Sequence, residues 1–283
     1  MAAVTAPMVK ELRERTGLGM MDCKKALVES DGDIDTAIEY LRKSSGMKAA
    51  KKAGRIAADG VVSIKVEAGL GVVVEVNCET DFAAKDDNFL AFVQTVTDKV
   101  FESRSGDLAA LGLETEREAL VQKIGENISI RRAQVFENEG TVIDYIHTNG
   151  KIGVLLSMEG GNQELGKDIA MHIAAMNPNV VSPEDAPEDL VAKEREIYTA
   201  QAQGSGKPPE IVEKMIDGRV RKYLAEISLL EQAFVRDGDI KVRALLEKED
   251  ATINRFIRYE VGEGIEKVQD DFAEEVRKQL GNP

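Results

Sequence analysis

The side chains that perform most protein chemistry are scarce and scattered in this sequence. Its two histidines, His147 and His172, fall in different elements, and neither belongs to an HExxH zinc motif. Cys23 and Cys78 lie far apart without metal-ligand spacing and read as two free thiols in a reducing compartment. Neither the GxSxG nucleophile elbow nor the GxxxxGK[ST] phosphate loop occurs. The glycine pair of Thr16-Gly17-Leu18-Gly19 is a turn signal rather than a phosphate cradle. Asp31, Asp33 and Asp35 imitate the start of a calcium loop, but Thr36 and Arg42 stand where that loop needs Gly and a bidentate Glu. Asp86-Asp87 and Glu184-Asp185 are paired carboxylates in polar, turn-like stretches, where such pairs are far more often helix caps or solvated charge than catalytic groups. This is the inventory of a binding protein, not an enzyme, with no metal or cofactor of its own.

One segment asks for a partner. Thr80-Asp81-Phe82-Ala83-Ala84-Lys85 follows directly on a strand end, and Phe82 stands at a loop-to-helix junction. An apolar ring there either staples onto its own helix or anchors in a partner's pocket; by pattern alone the staple is the commoner outcome.

Composition narrows the partner. The 51 acidic residues outnumber 37 basic ones for a net charge of -14, so the surface repels nucleic acid and favours a protein partner. The N-terminus lacks a signal-peptide apolar run and no stretch reaches membrane-span length, which places the expected compartment in the cytosol with no membrane contact.

The elements predict an α+β protein. Residues 1–45 read as a three-helix bundle: a first helix ending at Gly17, a second over Met20–Glu29 with Met21, Ala26 and Leu27 inward, and a third over Ile34–Lys43 capped by Asp33. Residues 42–58 carry six basic residues and no acidic one, so 46–58 is expected to be a basic, partly helical linker, either solvated or facing a partner. From Gly60 the period becomes that of strands. Val61–Glu67 and Gly71–Asn77 form a hairpin, Phe89, Phe92, Val93, Val96 and Val100 a helical stripe, and Ile128–Phe136 a third strand. The same order recurs. Gly140–His147 and Ile152–Met158 flank Asn149-Gly150, then come the stripe Leu165, Ile169, Ile173, Met176 and a strand at Ile253–Val261. Leu70-Gly71-Val72 matches Ile152-Gly153-Val154. The core therefore reads as a duplication of small antiparallel sheets with helices: 59–139, then 140–181 with 225–262. An antiparallel helical hairpin is inserted at 182–224, with Leu190, Val191, Ile197 and Tyr198 facing Ile211, Met215, Ile216 and Tyr223; its leftover apolar stripe suits self-association or packing on the core equally.

Motifs in order along the whole chain carry a resemblance. They are Leu12–Leu27 (LRERTGLGMMDCKKAL), Glu75–Asp86 (EVNCETDFAAKD), Lys123–Ile128 (KIGENI), Met171–Ala175 (MHIAA) and Arg258–Lys267 (RYEVGEGIEK). With these the chain resembles the bacterial elongation factor Ts family. The resemblance implies binding to the GTPase elongation factor Tu, release of its GDP during translation, and no direct nucleic-acid contact. It implies a bundle similar to ubiquitin-associated domains, a hairpin that dimerises to give a 2:2 complex, and a C-terminal module at 263–283 with a helix at Phe272–Leu280. Thr80, Asp81, Phe82 and Ala83 then match the segment that dislodges the partner's magnesium, Ala83 standing where the family often has Val. Lys24, Ile124, Gly125 and His147 match interface positions, and so, in a less similar stretch, do Phe234 and Val235.

Overall fold

The computed structural model describes residues 4–137, 140–202 and 208–266; the helix expected at Phe272–Leu280 lies outside them. In the bundle, α1 (Ala6–Thr16) stops at Gly17, whose φ of 67° lets its N–H reach back to Arg13 O. α2 (Met20–Glu29) and α3 (Ile34–Lys52) follow, the latter capped by Asp33, which accepts from Thr36 N at 2.7 Å. Leu12, Cys23, Ala26, Leu27, Ala37 and Leu41 fill the bundle core. Met21, expected inside, is 74% exposed. Its position lies roughly opposite Cys23 on a 100°-per-residue helix, while Cys23, Ala26 and Leu27 form the inward stripe.

The first half of the expected linker is helix. α3 continues through Lys52 and packs along α5 (Glu114–Ile124). Gly46 allows this approach, since a Cβ there would stand 3.0 Å from Glu118 Oε1. Lys48 pairs with Asp22 at 2.8 Å, Arg55 with Glu79 at 3.4 Å, and Lys52 Nζ donates to Gly125 O. Lys52 and Arg55 thus pin this stretch to the core, and Lys48 ties it to the bundle.

Strands β1 (Asp59–Glu67), β2 (Leu70–Cys78) and β3 (Ser129–Glu137) form an antiparallel sheet in the order β1-β2-β3. Phe89, Phe92, Val93, Val96 and Val100 of α4 (Asp87–Ser103) pack on Val72, Val74 and Val76 of its central strand. The second sheet, in the order β4-β5-β8, joins β4 (Thr141–Ile146), β5 (Ile152–Gly160) and β8 (Ala251–Glu260). There Leu165, Ile169 and Ile173 of α6 (Gln163–Met176) cover Val154, Leu156 and Met158. Met176, expected in this stripe, is half exposed as the last helical residue before the left-handed Asn177.

The sheets stack through their other faces, Val62, Val73 and Phe136 against Val142, Leu155 and Tyr259. The layers run helix, sheet, sheet, helix, which is why β2 is buried along its whole length. The matched glycines sit in this seam. A Cβ at Gly71 would come within 2.6 Å of Val142 Cγ1, and one at Gly153 within 2.5 Å of Val62 Cγ1. A register shift follows at matching points, between Glu75 and Val76 and between Ser157 and Met158. The duplication extends to its irregularities.

Between the second lobe's elements, α7 (Glu188–Ala202) and α8 (Pro209–Ile227) form the hairpin. They are joined by Arg195 and Asp217 at 2.6 Å, and the hairpin's base is tied down by Asn179 N donating to Ile227 O at 2.8 Å. Ile216 and Val220 are buried, while Ile197 and Ile211 remain exposed. A small ribbon of β6 (Ala233–Phe234) and β7 (Asp237–Lys241), then α9 (Val242–Lys248), lead into β8; the ribbon has no counterpart in the sequence reading.

Candidate partner-docking site

β2 ends at Cys78, and the chain must cross to α4, whose start Asp86 caps by accepting from Asn88 N at 2.8 Å and Phe89 N at 3.3 Å. One tight turn, Ala83–Lys85, lies between. Its inward positions go to Ala83 and Ala84, both buried in the first core, so the ring before them is turned outward. Phe82 is 79% exposed, more than any other large apolar side chain among the described residues. The staple reading fails. Asp81 beside it pairs with Lys85 at 2.8 Å; that hydrogen bond, helped by the charge of Lys151, holds its carboxyl below the ordinary carboxylate range.

Behind Phe82 the loop is braced by half-buried polar groups. Glu126 Oε2 accepts from Glu79 N and Thr80 N, each at 3.0 Å, and Oε1 from Thr80 Oγ1 at 2.7 Å. Thr80 Oγ1 in turn accepts from Ala83 N at 3.2 Å. In return, Glu79 Oε1 accepts from Asn127 N at 2.6 Å. Deeper still, the fully buried Glu75 carboxylate meets Arg131 at 2.9 Å, Arg132 at 2.5 Å and the Gly262 N–H at 2.8 Å. Burial pushes the Glu75 carboxyl up, but the Gly262, Asn77 and arginine hydrogen bonds outweigh it and leave it below the usual value. Cys78 donates its thiol to Thr80 O at 3.2 Å, and burial pushes its pKa up to about 12, so it packs rather than reacts.

Of the other expected contact positions, Ile124 and Gly125 adjoin this loop. Gly125 takes φ 88° at the end of α5, one residue before Glu126, and the space around its missing Cβ is open; Ile124 is half-buried against the first core. His147 is exposed, its Nδ1 3.1 Å from Tyr145 Oη. Its turn is laced to β1, the neighbour of β2: Gly150 O accepts from Val62 N at 3.0 Å and Lys151 pairs with Asp59 at 2.5 Å. Lys24 is exposed on α2, where it rims an open groove of about 530 Å³ with Lys10, Arg13, Val9 and the exposed Met20. Phe234 needs correction. It is only 7% exposed, packed in the second core with its ring 5.9 Å from that of His172. Val235 is exposed and hangs from His172, its N–H donating to Nδ1 at 3.1 Å while Nε2 lies 2.9 Å from Gln232 Oε1. The proton therefore sits on Nε2. Burial keeps the imidazole's pKa below its ordinary value against the weaker opposing effect of Gln232.

A family model described as Elongation factor TS matches residues 79–263, from the first residue of the loop to the residue whose carboxylate reaches Arg132. The chain belongs to the elongation factor Ts family. It is similar to the Elongation factor Ts of Hahella chejuensis, 63% identical over 99% of both chains. That of Teredinibacter turnerae is 58% identical over 98% of this chain and 97% of its own, and that of Saccharophagus degradans 56% over 98% of each. As a member of the elongation factor Ts family it is a translation elongation factor. Among the described residues, no helix is long and apolar enough to cross a membrane. For this elongation factor, sequence reasoning missed the Glu126 and Glu75 anchors and the exposure of Met20 and Met21. Glu126 lay inside a quoted motif, but its partners are 46 and 47 residues away.

Proposed function

We propose that this chain is a guanine-nucleotide exchange factor that binds elongation factor Tu carrying GDP, displaces Mg²⁺ with the segment Thr80–Ala83, and so releases GDP. The observation that carries this reading is Phe82, a fully presented aromatic ring on a rigidly anchored turn with an ionised carboxylate beside it. GDP on a GTPase is held by phosphate contacts and a magnesium ion bridging oxygens to protein. Each tenfold loosening of GDP requires about 1.4 kcal/mol of preference for the empty GTPase, and linkage makes the two losses reciprocal. Burying the Phe82 ring in a partner pocket supplies roughly 1.5–3 kcal/mol, comparable with loosening a few contacts of the metal shell. Asp81 acts by hydrogen-bonding or repelling groups near that metal. No bond in this chain is made or broken, so the activity is not enzymatic in the chemical sense.

In this reading Ile124, Gly125 and His147 dock beside the wedge, and Lys24 with the basic-rimmed groove of the bundle docks as a second anchor. Residues 1–45, the two lobes and 182–224 then act as separate contact modules, and the hairpin serves self-association into a 2:2 complex. The test is release of labelled GDP from elongation factor Tu on addition of the protein, repeated with Phe82→Ala. Unaltered release by that variant removes the wedge from the mechanism, and sedimentation of the complex with and without the hairpin decides its stoichiometry.

A further inference from the structure

Glu126 belongs to neither the exposed wedge nor the expected contact positions, yet its carboxylate joins them. It stands next to Gly125 at the end of α5, and all of its hydrogen bonds given above go to the other loop, to Glu79 and Thr80. The hydrogens can be assigned. Thr80 Oγ1 accepts from Ala83 N, so its own proton points to Glu126 Oε1. One carboxylate thereby fixes two backbone amides and orients the hydroxyl that caps the turn following Phe82. The brace is reciprocal, because Glu79 accepts from the amide of Asn127, on the other side of Glu126. Charge-assisted hydrogen bonds of this kind are roughly twice as strong as neutral ones.

Resting on the wedge reading above, we infer that Glu126 is a positioning residue for exchange: it locks the Ile124–Gly125 turn to the Thr80–Phe82 loop, so that docking at the first drives the aromatic ring of the second into the partner at a fixed angle. The ring itself has almost no packing to hold it, so its aim comes from the backbone that Glu126 anchors. Without the carboxylate the protein still docks, but the wedge arrives misaligned. Misplacement by about 1 Å costs on the order of a hundredfold in steps that depend on orientation.

The experiment measures GDP release from elongation factor Tu over a range of concentrations of the full-length protein, for wild type, Glu126→Ala, Glu126→Gln, Phe82→Ala and the Phe82→Ala/Glu126→Ala double variant, each checked for a native thermal transition. The expected result is a fall of about tenfold or more in maximal rate for Glu126→Ala, with half-saturation changed less than about twofold. Glu126→Gln keeps the size but sets an NH2 group against N–H donors, so it shifts in the same direction and covers the case in which the alanine variant fails to fold. In the Phe82→Ala background the Glu126 substitution should add nothing, because there is no ring left to aim. A wild-type maximal rate for both Glu126 variants, or an equal further fall in the Phe82→Ala background, overturns the positioning role while leaving the wedge intact. A wild-type rate for Phe82→Ala itself overturns the wedge, and this inference with it.

Discussion

The two lobes are built alike to the ends of their central strands and then differ. β2 and β5 each place a glycine against the opposite sheet and a bulge at the matching point. After β5 the chain turns on Gly160 and Gly161, at φ 69° and 62°, and enters α6 on an Asn162 cap that accepts from Leu165 N at 2.9 Å. Only glycine fits there, since a Cβ at Gly160 would lie 2.0 Å from Asp250 O. After β2 the junction is longer, and the Glu126 carboxylate is committed to it; in the strand before it, at the position of Glu75, the second lobe has Ser157. One copy closes its strand-to-helix junction with the shortest chain that will serve. The other commits a half-buried carboxylate, Glu126, to a turn that holds an aromatic ring away from the core, against the hydrophobic effect. A fold that works without the protrusion in one lobe does not need it in the other, so Phe82 belongs to a function grafted onto the scaffold.

The contrast breaks most visibly at the junctions. Phe82→Ala should slow GDP release by about a hundredfold, the size of a lost hot spot of ~2–4 kcal/mol, while calorimetry shows stability within ~0.5 kcal/mol of wild type. Gln163→Ala, on the second junction, should change neither. Next comes the seam, where the lobes should behave alike: Gly71→Ala and Gly153→Ala each force a methyl into side chains of the other sheet and should cost ~1–3 kcal/mol in urea unfolding. A large cost on one side alone would mean that the seam is not symmetric.

Acid should separate the lobes again. The folded pKa of His172 is depressed, so the unfolded chain takes up the proton first; stability falls as pH drops through ~6.5, by at most ~1.4 kcal/mol per pH unit. The first lobe's Glu75 is likewise depressed, so its contribution persists above the unfolded carboxylate range, ~4.3, and is lost below it as pH falls through the folded value. Hydrogen exchange should therefore show the α6 region loosening at milder acidity than β2, and the reverse order would break the assignment. The smallest effect is the most even: Asp86→Ala and Asn162→Ala remove equivalent helix caps and should each cost ~1 kcal/mol.

Local pattern made much of this legible. β-branched runs marked the strands, glycine-centred triplets marked the duplication, and Asp33 marked its helix. Where sequence reading went astray, long-range packing decided. The stretch after Lys43 looked like a tether because Gly46 and a run of positive charge interrupt a helix; its real partners, Glu118, Glu79 and the Gly125 carbonyl, are distant in sequence. Met21 and Met176 were drawn inward by periodicity at points where a stripe is ambiguous or a helix ends. Phe234 was drawn outward by its motif position, although the His172 ring shelters it. Phe82 itself stood undecided, since outward and stapled rings have the same spacing, and only the two alanines behind it settle the matter.

The Gly262 amide that completes the Glu75 site lies 187 residues downstream. A chain emerging from the ribosome in order must therefore leave that carboxylate short of one backbone donor until the residues after β8 arrive, so the buried charge of the first lobe is completed by the second. Because the Gly262 bond helps hold the Glu75 carboxyl below its usual value, nascent chains stalled short of β8 should lose the first lobe's fold at milder acidity than chains released beyond Gly262.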